Sequence, residues 1–312
     1  MRLLVLGAGG VGGYFGGRLA ATGADVTFLV RPARRTELEQ NGLRIQSERG
    51  DLQRPVKTVL AEALGPDYDL VLLTCKAYDL DSAMDAVAGA MSGPCALVPL
   101  LNGLAHFDRL DHRFGHDQVM GGTCMIDVTL RADGVVRHSG TLQRLLFGER
   151  DRSHSVRAAA FADALAKTTI DWELSPDIEQ HLWEKLVFLS ALAAMTCLFR
   201  ANVAEIMAAP GGREAMERTL GLNIEIAARE GHPQSAAAIA FARKRLTDPA
   251  GPWSASMLRD LEAGGSVEGD HIVGWMLDKA RAHQLDDTML ALAYTHLKAY
   301  EARRAGGRLP GR

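Results

Sequence analysis

The chemistry-bearing feature nearest the start of the chain is a glycine-rich turn. Gly7, Gly9 and Gly12 form the pattern G-A-G-G-V-G directly after the apolar run RLLVL, and a segment of helical composition follows. In that context the first glycine permits a tight turn, the second lets the backbone approach a pyrophosphate, and the third lets helix and strand pack closely. The phosphates would lie over the N-terminus of the helix. The pattern alone is weak evidence, because glycine-rich turns are common, but its position favours a dinucleotide site.

A cluster of arginines follows the second apolar run, VTFLV. Arg31 stands where an NAD enzyme usually carries the Asp or Glu that binds the ribose hydroxyls, and Arg34 and Arg35 come shortly after it. A carboxylate would repel a 2′-phosphate, whereas a guanidinium can bind it with paired hydrogen bonds. We therefore predict NADP(H) as the cofactor and Arg31 as one of its ligands. Arg34 and Arg35 fit a solvated basic turn equally well.

Three further polar residues stand where they could contact a small ligand. Lys76 and Asn102 each follow a short apolar run, and the carboxyl ends of parallel strands form the ligand edge of a sheet. Asn102 precedes Gly103, so it could also be an ordinary turn asparagine. Lys185 precedes helical turns that are almost entirely apolar, so its ammonium group either extends to solvent along the helix surface or points into a cleft.

The apolar pattern predicts the elements that must position these residues. In the first half of the chain, four short apolar runs alternate with segments that can form helices; they are residues 2–6, 26–30, 70–74 and 96–101. Such alternation predicts a doubly wound parallel sheet. The segments VMGGTCMIDVTL and GVVRHSGTLQRLLFG are predicted to be extended, to be joined by a turn at residues 132–134, and to extend the same sheet.

Beyond about residue 155 the strand pattern fades and helices broken by glycine and proline are indicated. Ser175 and Pro176 suit a helix N-cap and first turn, so we predict a long helix from there to about Met207. Its apolar stretch is shorter than the roughly 20 residues that span a bilayer, and we interpret it as a buried helix. The predicted fold class is α/β, with a Rossmann-type doubly wound parallel sheet at residues 1–172 and an all-helical second domain at 173–312.

Composition excludes several classes of function. The 312 residues are 47% hydrophobic and 23% charged with a net charge of -3, which suits two globular domains and gives no positive field to attract nucleic acid or an anionic membrane. The expected partner is a small molecule. The sequence does not specify the oligomeric state, and a homodimer is compatible with it.

Cysteine and histidine usage adds two expectations. The cysteines lie far apart without a C-x-x-C pair, which fits reduced thiols in a cytoplasmic protein; they are Cys75, Cys95, Cys124 and Cys197. The N-terminus lacks the pattern of an export signal. His112 and His116 are four residues apart, but Gly115 and polar neighbours favour a turn, so we predict no metal site.

The order of the motifs resembles the ketopantoate reductase (2-dehydropantoate 2-reductase) family over nearly the whole chain. The chain presents, in order, GAGGVGGYFGGRLA, VTFLVR, TCKAYD, PLLNGL, GVVRHSG, WEKL, SMLRDLEAGGSVEGD and KARAHQL. The resemblance implies a cytoplasmic enzyme of pantothenate biosynthesis that reduces a small 2-oxo acid with NADPH. It also implies a nucleotide-binding domain, a helical second domain, and a cleft between them where the substrate meets the nicotinamide.

The resemblance further implies roles for individual residues. Lys185, in the W-x-K-L pattern, would bind the keto oxygen and donate a proton, and Glu268 would accept a hydrogen bond from the substrate hydroxyl. Asn102 would touch both nucleotide and substrate, Lys76 would lie in the cofactor region, and Ser256 would bind the substrate carboxylate. An ammonium group suits this chemistry because hydride addition to a ketone builds negative charge on oxygen. An apolar surround should also lower the pKa of Lys185.

Each of these residues has a plainer interpretation. Lys185 could lie on a helix surface, Glu268 could be a first-turn carboxylate favoured by a helix dipole, and Ser256 could cap a helix. Asp260 matches an acidic residue of the family one turn after Ser256, and we leave it outside the predicted site.

Three positions depart from the family pattern. Leu189 and Ala193, four and eight residues after Lys185, replace asparagines that are common in the family, and Val273 replaces another. A site that selects through buried polar partners loses selectivity when they are replaced. The substrate is therefore either ketopantoate or a more apolar 2-oxo acid of a related NADP-dependent 2-hydroxy-acid dehydrogenase. A third hypothesis, a catalytically silent NADP(H)-binding protein, is disfavoured because Lys185 and Glu268 are retained.

Overall fold

The computed structural model describes residues 1–309, which divide into two compact units. The first unit comprises Met1–Leu101 and His106–Glu179, and the second comprises Asn102–Ala105 together with the described residues from Gln180 onward. The second domain predicted from the sequence ends at residue 312, and its last three residues, 310–312, lie outside the described part of the chain.

The first unit contains two sheets and five complete helices. Its strands are β1 (Arg2–Leu6), β2 (Asp25–Leu29), β3 (Leu43–Ser47), β4 (Leu52–Arg54), β5 (Lys57–Val59), β6 (Leu70–Leu73), β7 (Ala96–Pro99), β8 (Gly121–Leu130), β9 (Val136–Gly148) and β10 (Asp171–Leu174). Its helices are α1 (Gly10–Ala21), α2 (Pro32–Asn41), α3 (Leu80–Met91), α4 (His106–Phe114) and α5 (Val156–Leu165).

The first sheet is parallel and has the strand order β5-β2-β1-β6-β7. The residues of β6 and β7 are all buried, as continuous apolar runs in a sheet covered on both faces require. All four strands predicted from the sequence are present in this sheet, each with its ends within two residues of the predicted ones. The predicted doubly wound parallel sheet is therefore confirmed. The strand order reverses between β1 and β6, and in such sheets ligands bind at the carboxyl ends of the strands beside that reversal.

The second sheet has the order β10-β9-β3-β4, with β8 pairing β9. The predicted hairpin of β8 and β9 is confirmed, and Gly134 in its turn has a φ of +78°. The prediction that this hairpin extends the first sheet is wrong, because β9 pairs instead with β3 and β10. The glycine-rich face of α1 lets this second sheet pack closely. A Cβ on Gly17 would lie 2.7 Å from the Ile45 side chain, and one on Gly13 would lie 2.8 Å from that of Val136.

The described residues of the second unit form helices and the loops that connect them. They form the greater part of α6 (Ile178–Phe199) and all of α7 (Val203–Ala208), α8 (Gly212–Arg229), α9 (Ala236–Leu246), α10 (Ser256–Glu262), α11 (Trp275–Ala282) and α12 (Thr288–Ala305). A π-helical turn, Asp270–Gly274, leads directly into α11. The all-helical second part of the chain is confirmed. The prediction of helices only beyond residue 155 is wrong at Asp171–Leu174, where β10 pairs in parallel with β9.

Helix α6 is shorter than predicted. It ends at Phe199 rather than near Met207, because Arg200 takes a left-handed φ of +55° and Asn202 begins a new helix. The Asn202 side chain accepts a hydrogen bond from the Glu205 N–H at 3.0 Å, and the Glu205 carboxylate accepts one from the Asn202 N–H at 2.8 Å. By length and composition α6 could cross a membrane, but 67% of its most apolar window is buried inside the protein. Its apolar character is accounted for by core packing.

Candidate functional site

The glycine-rich turn between β1 and α1 has the geometry that its pattern predicts. Gly7 has a φ of +87°, which favours glycine, and its N–H donates to the Leu29 carbonyl at 2.8 Å. A Cβ on Gly12 would lie 2.3 Å from the Gly7 carbonyl oxygen and 2.4 Å from Thr74 Oγ1, so no larger residue fits there without displacing the turn. A Cβ on Gly9 would meet nothing within 4 Å. Gly9 therefore borders open space while Gly12 is packed.

A cavity of about 560 Å³ lies beside this turn within the first unit. Its volume falls in the range of small-molecule sites, roughly 300 to 1,000 Å³. Among its lining residues are Gly7, Gly9, Arg31, Arg34, Thr74 and Cys75. It lies at the carboxyl ends of β1, β2 and β6, where the strand order reverses, which is the place expected for a nucleotide.

Some of the predicted cofactor residues line this cavity and others lie behind or beside it. Gly7, Gly9 and Arg31 line it directly, whereas Gly12 packs behind the turn. Lys76 follows the lining residue Cys75 and caps a short 3-10 turn at Ala77–Asp79. Thr74 was missed by sequence reasoning, although its position at the end of a predicted strand could have indicated it. Its hydroxyl donates to the carbonyl of Leu6 at 2.6 Å and so ties β6 to β1 beside the turn.

The three arginines near the end of β2 are not equivalent. Arg31 is exposed, and its backbone is the N-cap of α2. Arg34 is largely buried and donates two hydrogen bonds to the carbonyl of Ala8, from Nε at 3.1 Å and from Nη2 at 2.7 Å. Arg35 pairs with Glu39 at 2.7 Å on the helix surface. The basic cluster therefore contains one solvent-facing arginine at the cavity, one that binds the glycine turn, and one surface residue.

In the second unit, the structure brings Lys185 and Asn102 into direct contact. Lys185 Nζ on α6 donates to Asn102 Oδ1 at 3.1 Å. Asn102 does occupy a turn, since Gly103 has a φ of +84°, but its side chain is engaged as well. A Cβ on Gly103 would lie 2.6 Å from the carbonyl oxygen of His271 in the π-helical turn. This close packing is one contact that joins the four residues Asn102–Ala105 to the second unit, although only Leu100 and Leu101 separate them from β7.

Glu268 and Ser256 each lie at the start of a helical segment. Glu268 is 5% exposed and precedes the π-helical turn, where its carbonyl accepts from the Ile272 N–H at 3.2 Å. A carboxyl group is costly to bury unless it is paired or hydrogen-bonded, so such positions are often functional. Ser256 is the first residue of α10, but the N-cap is Ala255 and no side chain caps this helix. The capping interpretation of Ser256 is therefore wrong.

The π-helical turn is anchored to α12 through Asp270, a residue that sequence reasoning did not select. Asp270 accepts hydrogen bonds from the Tyr294 hydroxyl at 2.7 Å and from Lys298 Nζ at 3.0 Å. Burial raises the pKa of Asp270, but the hydrogen bonds from Tyr294 and Lys298 outweigh it and hold that pKa below its usual range. This anchor fixes the turn that follows Glu268. Tyr294 and Lys298 lie 24 and 28 residues after Asp270 in the sequence, so no local pattern could have indicated this anchor.

The departures from the family pattern lie on the helix that carries Lys185. Leu189 and Ala193 follow it at intervals of one helical turn and therefore share its face of α6. Ala193 is fully buried and Leu189 is partly exposed. Val273, the third departure, is fully buried in the π-helical turn. The face that begins with the Lys185 ammonium group thus continues as apolar side chains.

The two histidines set aside as metal ligands have other surroundings. His112 lies on α4, and His116 lies beyond Gly115, which has a φ of +88°. The His116 ring nitrogen Nδ1 is 3.1 Å from a carboxylate oxygen of Asp111, which also pairs with Arg150. The chain turns at Gly115 as predicted, but His112 lies in a helix and not in that turn.

Comparison with known families covers most of the chain. The family described as "Ketopantoate reductase PanE/ApbA" matches residues 3–152, and "Ketopantoate reductase PanE/ApbA C terminal" matches residues 177–301. The chain is 35% identical to "Uncharacterized oxidoreductase YkpB" of Bacillus subtilis (strain 168), over 97% of this chain and 99% of that protein. It is 28% identical to a 2-dehydropantoate 2-reductase of Halobacterium salinarum, over 91% of this chain and 94% of that protein.

Solved structures share the fold over almost the full length. A 2-dehydropantoate 2-reductase from Methylococcus capsulatus superposes with a TM-score of 0.87 at 25% identity and covers 98% of each chain. D-mandelate dehydrogenase, solved with NADH and anilino(oxo)acetate, superposes with a TM-score of 0.85 at 20% identity over 98% of this chain and 99% of that one. At that identity the second likeness shows the fold alone.

Proposed function

This chain belongs to the ketopantoate reductase family and is an oxidoreductase, and from that premise we propose that it reduces a small 2-oxo acid with NADPH. The first candidate substrate is 2-dehydropantoate (ketopantoate), with pantoate as the product. The observation that carries the proposal is the 3.1 Å hydrogen bond between Lys185 and Asn102, because it sets an ammonium group beside an amide at the positions where the family resemblance implies a proton donor and its neighbour.

The cavity in the first unit fits the nucleotide that this reaction requires. The packed Gly12 and the left-handed Gly7 shape the turn, and Gly9 leaves open space at the start of α1 for a pyrophosphate. Arg31 would bind the 2′-phosphate and so select NADP(H) over NAD(H). Lys76 is placed nearby to contribute a further positive charge. When bound, the cofactor supplies a hydride to the keto carbon of the substrate.

The residues of the second unit supply the proton and the substrate contacts. Lys185 holds the keto oxygen, stabilises the negative charge that develops on it, and transfers a proton to it from Nζ. Asn102 orients that ammonium group and, by the family resemblance, would contact the nucleotide and the substrate when they are bound. Glu268 accepts a hydrogen bond from the substrate hydroxyl, and Ser256 binds the substrate carboxylate. Solvent then returns a proton to Lys185.

A second candidate substrate class is favoured by the apolar face of α6. With Leu189 and Ala193 following Lys185, the helix offers no polar side chain at the two positions where the family commonly has asparagine. An aryl or unbranched 2-oxo acid would suit that surface better than a hydroxylated one, because a buried hydroxyl without a partner is costly to desolvate. The fold shared with D-mandelate dehydrogenase is consistent with this alternative.

A panel of 2-oxo acids tests the proposal. Loss of nicotinamide absorbance is followed with ketopantoate, with unbranched acids and with aryl acids, each with NADPH and with NADH. We expect turnover with NADPH and the highest kcat/KM for ketopantoate. A higher kcat/KM for an aryl or unbranched acid would favour the second candidate substrate class over ketopantoate. Absence of nicotinamide oxidation with every acid would reject the reductase and favour a silent nucleotide-binding protein.

The biological setting is part of the same proposal. Reduction of ketopantoate is a step in pantothenate biosynthesis, and we propose that this chain catalyses that step in the cytoplasm. Widely spaced reduced cysteines suit this compartment. Assembly as a homodimer is likewise proposed and is tested by the mass of the protein in solution.

A further inference from the structure

Arg34 links three separate segments of the first unit. Its guanidinium group donates to the carbonyl of Ala8 from Nε at 3.1 Å and from Nη2 at 2.7 Å, and to the carbonyl of Gly134 from Nη1 at 3.1 Å. Nη1 also contacts the carboxylate of Glu37, one turn along α2. The start of α2 is thereby joined to the glycine-rich turn and to the turn of the β8–β9 hairpin.

The surroundings of this linkage are tightly packed. The Arg34 side chain is 14% exposed, and Ala8 is buried. A side chain on Gly134 would displace the Glu37 carboxylate, because a Cβ there would lie 1.6 Å from Glu37 Oε1. Glu37 also lies 3.6 Å from the guanidinium group of Arg44 on β3. The Glu37 carboxylate therefore contacts Nη1 of the Arg34 guanidinium group, whereas Nε and Nη2 of that group bind the glycine-rich turn.

The hydrogen bonds to Ala8 act on the peptide group that precedes Gly9. In a trans peptide the carbonyl and the following N–H point in opposite directions, so holding the Ala8 carbonyl also fixes the direction of the Gly9 N–H. Gly9 lines the cavity assigned to the nucleotide. An N–H group that is oriented before the ligand arrives binds an anion with less loss of conformational entropy.

We propose that Arg34 is a positioning residue for the nucleotide site, which holds the glycine-rich turn in its binding conformation, while Arg31 alone discriminates the 2′-phosphate. This inference rests on the proposed function and deepens it, since it assigns separate tasks to two arginines three residues apart. Arg34 uses its donors on backbone carbonyls, whereas Arg31 is exposed and faces the same cavity.

The rival explanation is that Arg34 attracts the nucleotide only by its positive charge. Charge and geometry give opposite expectations at Glu37. Replacing Glu37 by glutamine removes a negative charge near the cavity, which by charge alone should tighten the binding of an anionic nucleotide. If Glu37 instead holds the Arg34 fork, the same change should weaken binding. Arg34→Lys keeps the charge but loses the planar fork, so it separates the two explanations a second time.

The experiment measures the dissociation constants of NADPH and NADH by titration calorimetry for the full-length protein. We expect Arg34→Lys to weaken both nucleotides by the same factor, about tenfold, because charge-assisted hydrogen bonds to the turn are lost. Glu37→Gln should weaken the binding of both nucleotides, whereas charge alone predicts that it tightens their binding. Arg31→Gln should weaken NADPH alone. Arg35→Gln is the matched control, since Arg35 lies on the same helix and pairs only with Glu39 among the residues described, and both constants should stay unchanged.

The ratio of the two dissociation constants distinguishes positioning from a general loss of folded protein. Thermal unfolding of each variant is recorded alongside, and a reduced folded fraction changes the binding stoichiometry rather than this ratio or the affinity of the folded molecules. The positioning role would be overturned if Arg34→Lys weakened the binding of NADPH but not of NADH, or if it left both dissociation constants unchanged. Tighter binding of the nucleotides by Glu37→Gln would also overturn it. If the unaltered protein binds neither nucleotide, the proposed function itself fails, and the inference fails with it.

Discussion

Gly9 and Gly12 lie three residues apart in one turn, yet different physical demands select glycine at each. A side chain on Gly12 would collide with the Gly7 carbonyl and with Thr74, whereas one on Gly9 would extend into open space. Gly9 has a φ of −83°, which any residue can adopt. The protein itself therefore requires glycine at position 12 but not at position 9, where we propose that the bound nucleotide requires it.

This contrast gives a prediction at the residue scale. Gly9→Ala should leave the midpoint of thermal unfolding nearly unchanged but weaken NADPH binding by at least about tenfold, because its methyl group would occupy space needed by the pyrophosphate. Gly12→Ala should lower the unfolding midpoint as well, since the turn must shift to admit the methyl group. Calorimetry and thermal unfolding on both variants provide the check. Normal NADPH binding by Gly9→Ala would contradict the assignment of the cavity.

Sequence reasoning predicted the roles of these glycines but could not separate the neighbouring arginines. The conformational demands of a G-x-G-x-x-G turn are local, so the pattern carries them. Whether Arg34 or Arg35 serves the site depends on the hairpin turn at Gly134, 100 residues away. No spacing within the arginine cluster records that contact.

At the scale of elements, Glu230 joins the end of α8 to the end of α11. Its carboxylate contacts Lys279 Nζ and His283 Nε2, each at 2.7 Å. Burial raises the pKa of Glu230, but the hydrogen bonds from Lys279 and His283 outweigh it, and the net pKa lies below the usual range. A carboxyl group whose pKa is lowered by folding stabilises the folded state above its unfolded pKa of about 4.3, and that stabilisation is lost as the pH falls through the folded value.

We therefore predict a pH-dependent effect of Glu230→Gln. The variant should be less stable than the unaltered protein by about 1 kcal/mol near pH 7, and the difference should shrink towards zero below about pH 4 as the carboxylate is protonated. Urea unfolding at a series of pH values measures it. Glu225→Gln is the matched control, because Glu225 on the same helix pairs with Arg229 of that helix and links no second element. A difference that grows in acid would contradict the assigned linkage.

Element boundaries were predictable where the signal is local and failed where it is not. The central parallel strands are continuous apolar runs, so the sequence located them closely. Strands β4 and β5 were missed because each has only three residues and none of them is fully buried. Strand β3 was missed because its buried residues alternate with half-buried polar ones and form no continuous apolar run. The end of α6 was misplaced because residue 200, an arginine, takes the left-handed conformation that usually marks a glycine, and the apolar pattern continues past it.

At the scale of the whole molecule, the sequence predicted two parts, because its hydrophobic pattern changes from that of strands and helices to that of helices alone. It did not predict that a short segment of the first half belongs to the second unit. Segment Asn102–Ala105 belongs to the second unit through the close approach of Gly103 to His271, a contact between residues more than 160 positions apart. Lys185 and Asn102 were predicted as site residues separately, from strand position and from family resemblance. Their hydrogen bond could be found only from the folded chain.

The most direct test of the proposed reaction is the turnover of Lys185→Ala with the best acid of the panel, measured together with the dissociation constant of NADPH. We predict that kcat falls by roughly 10³-fold, within the range of general acid catalysis, while NADPH binds as before. Lys167→Ala, which removes an exposed lysine of the first unit, should leave both values unchanged. Unchanged turnover in Lys185→Ala would contradict the assignment of the proton donor.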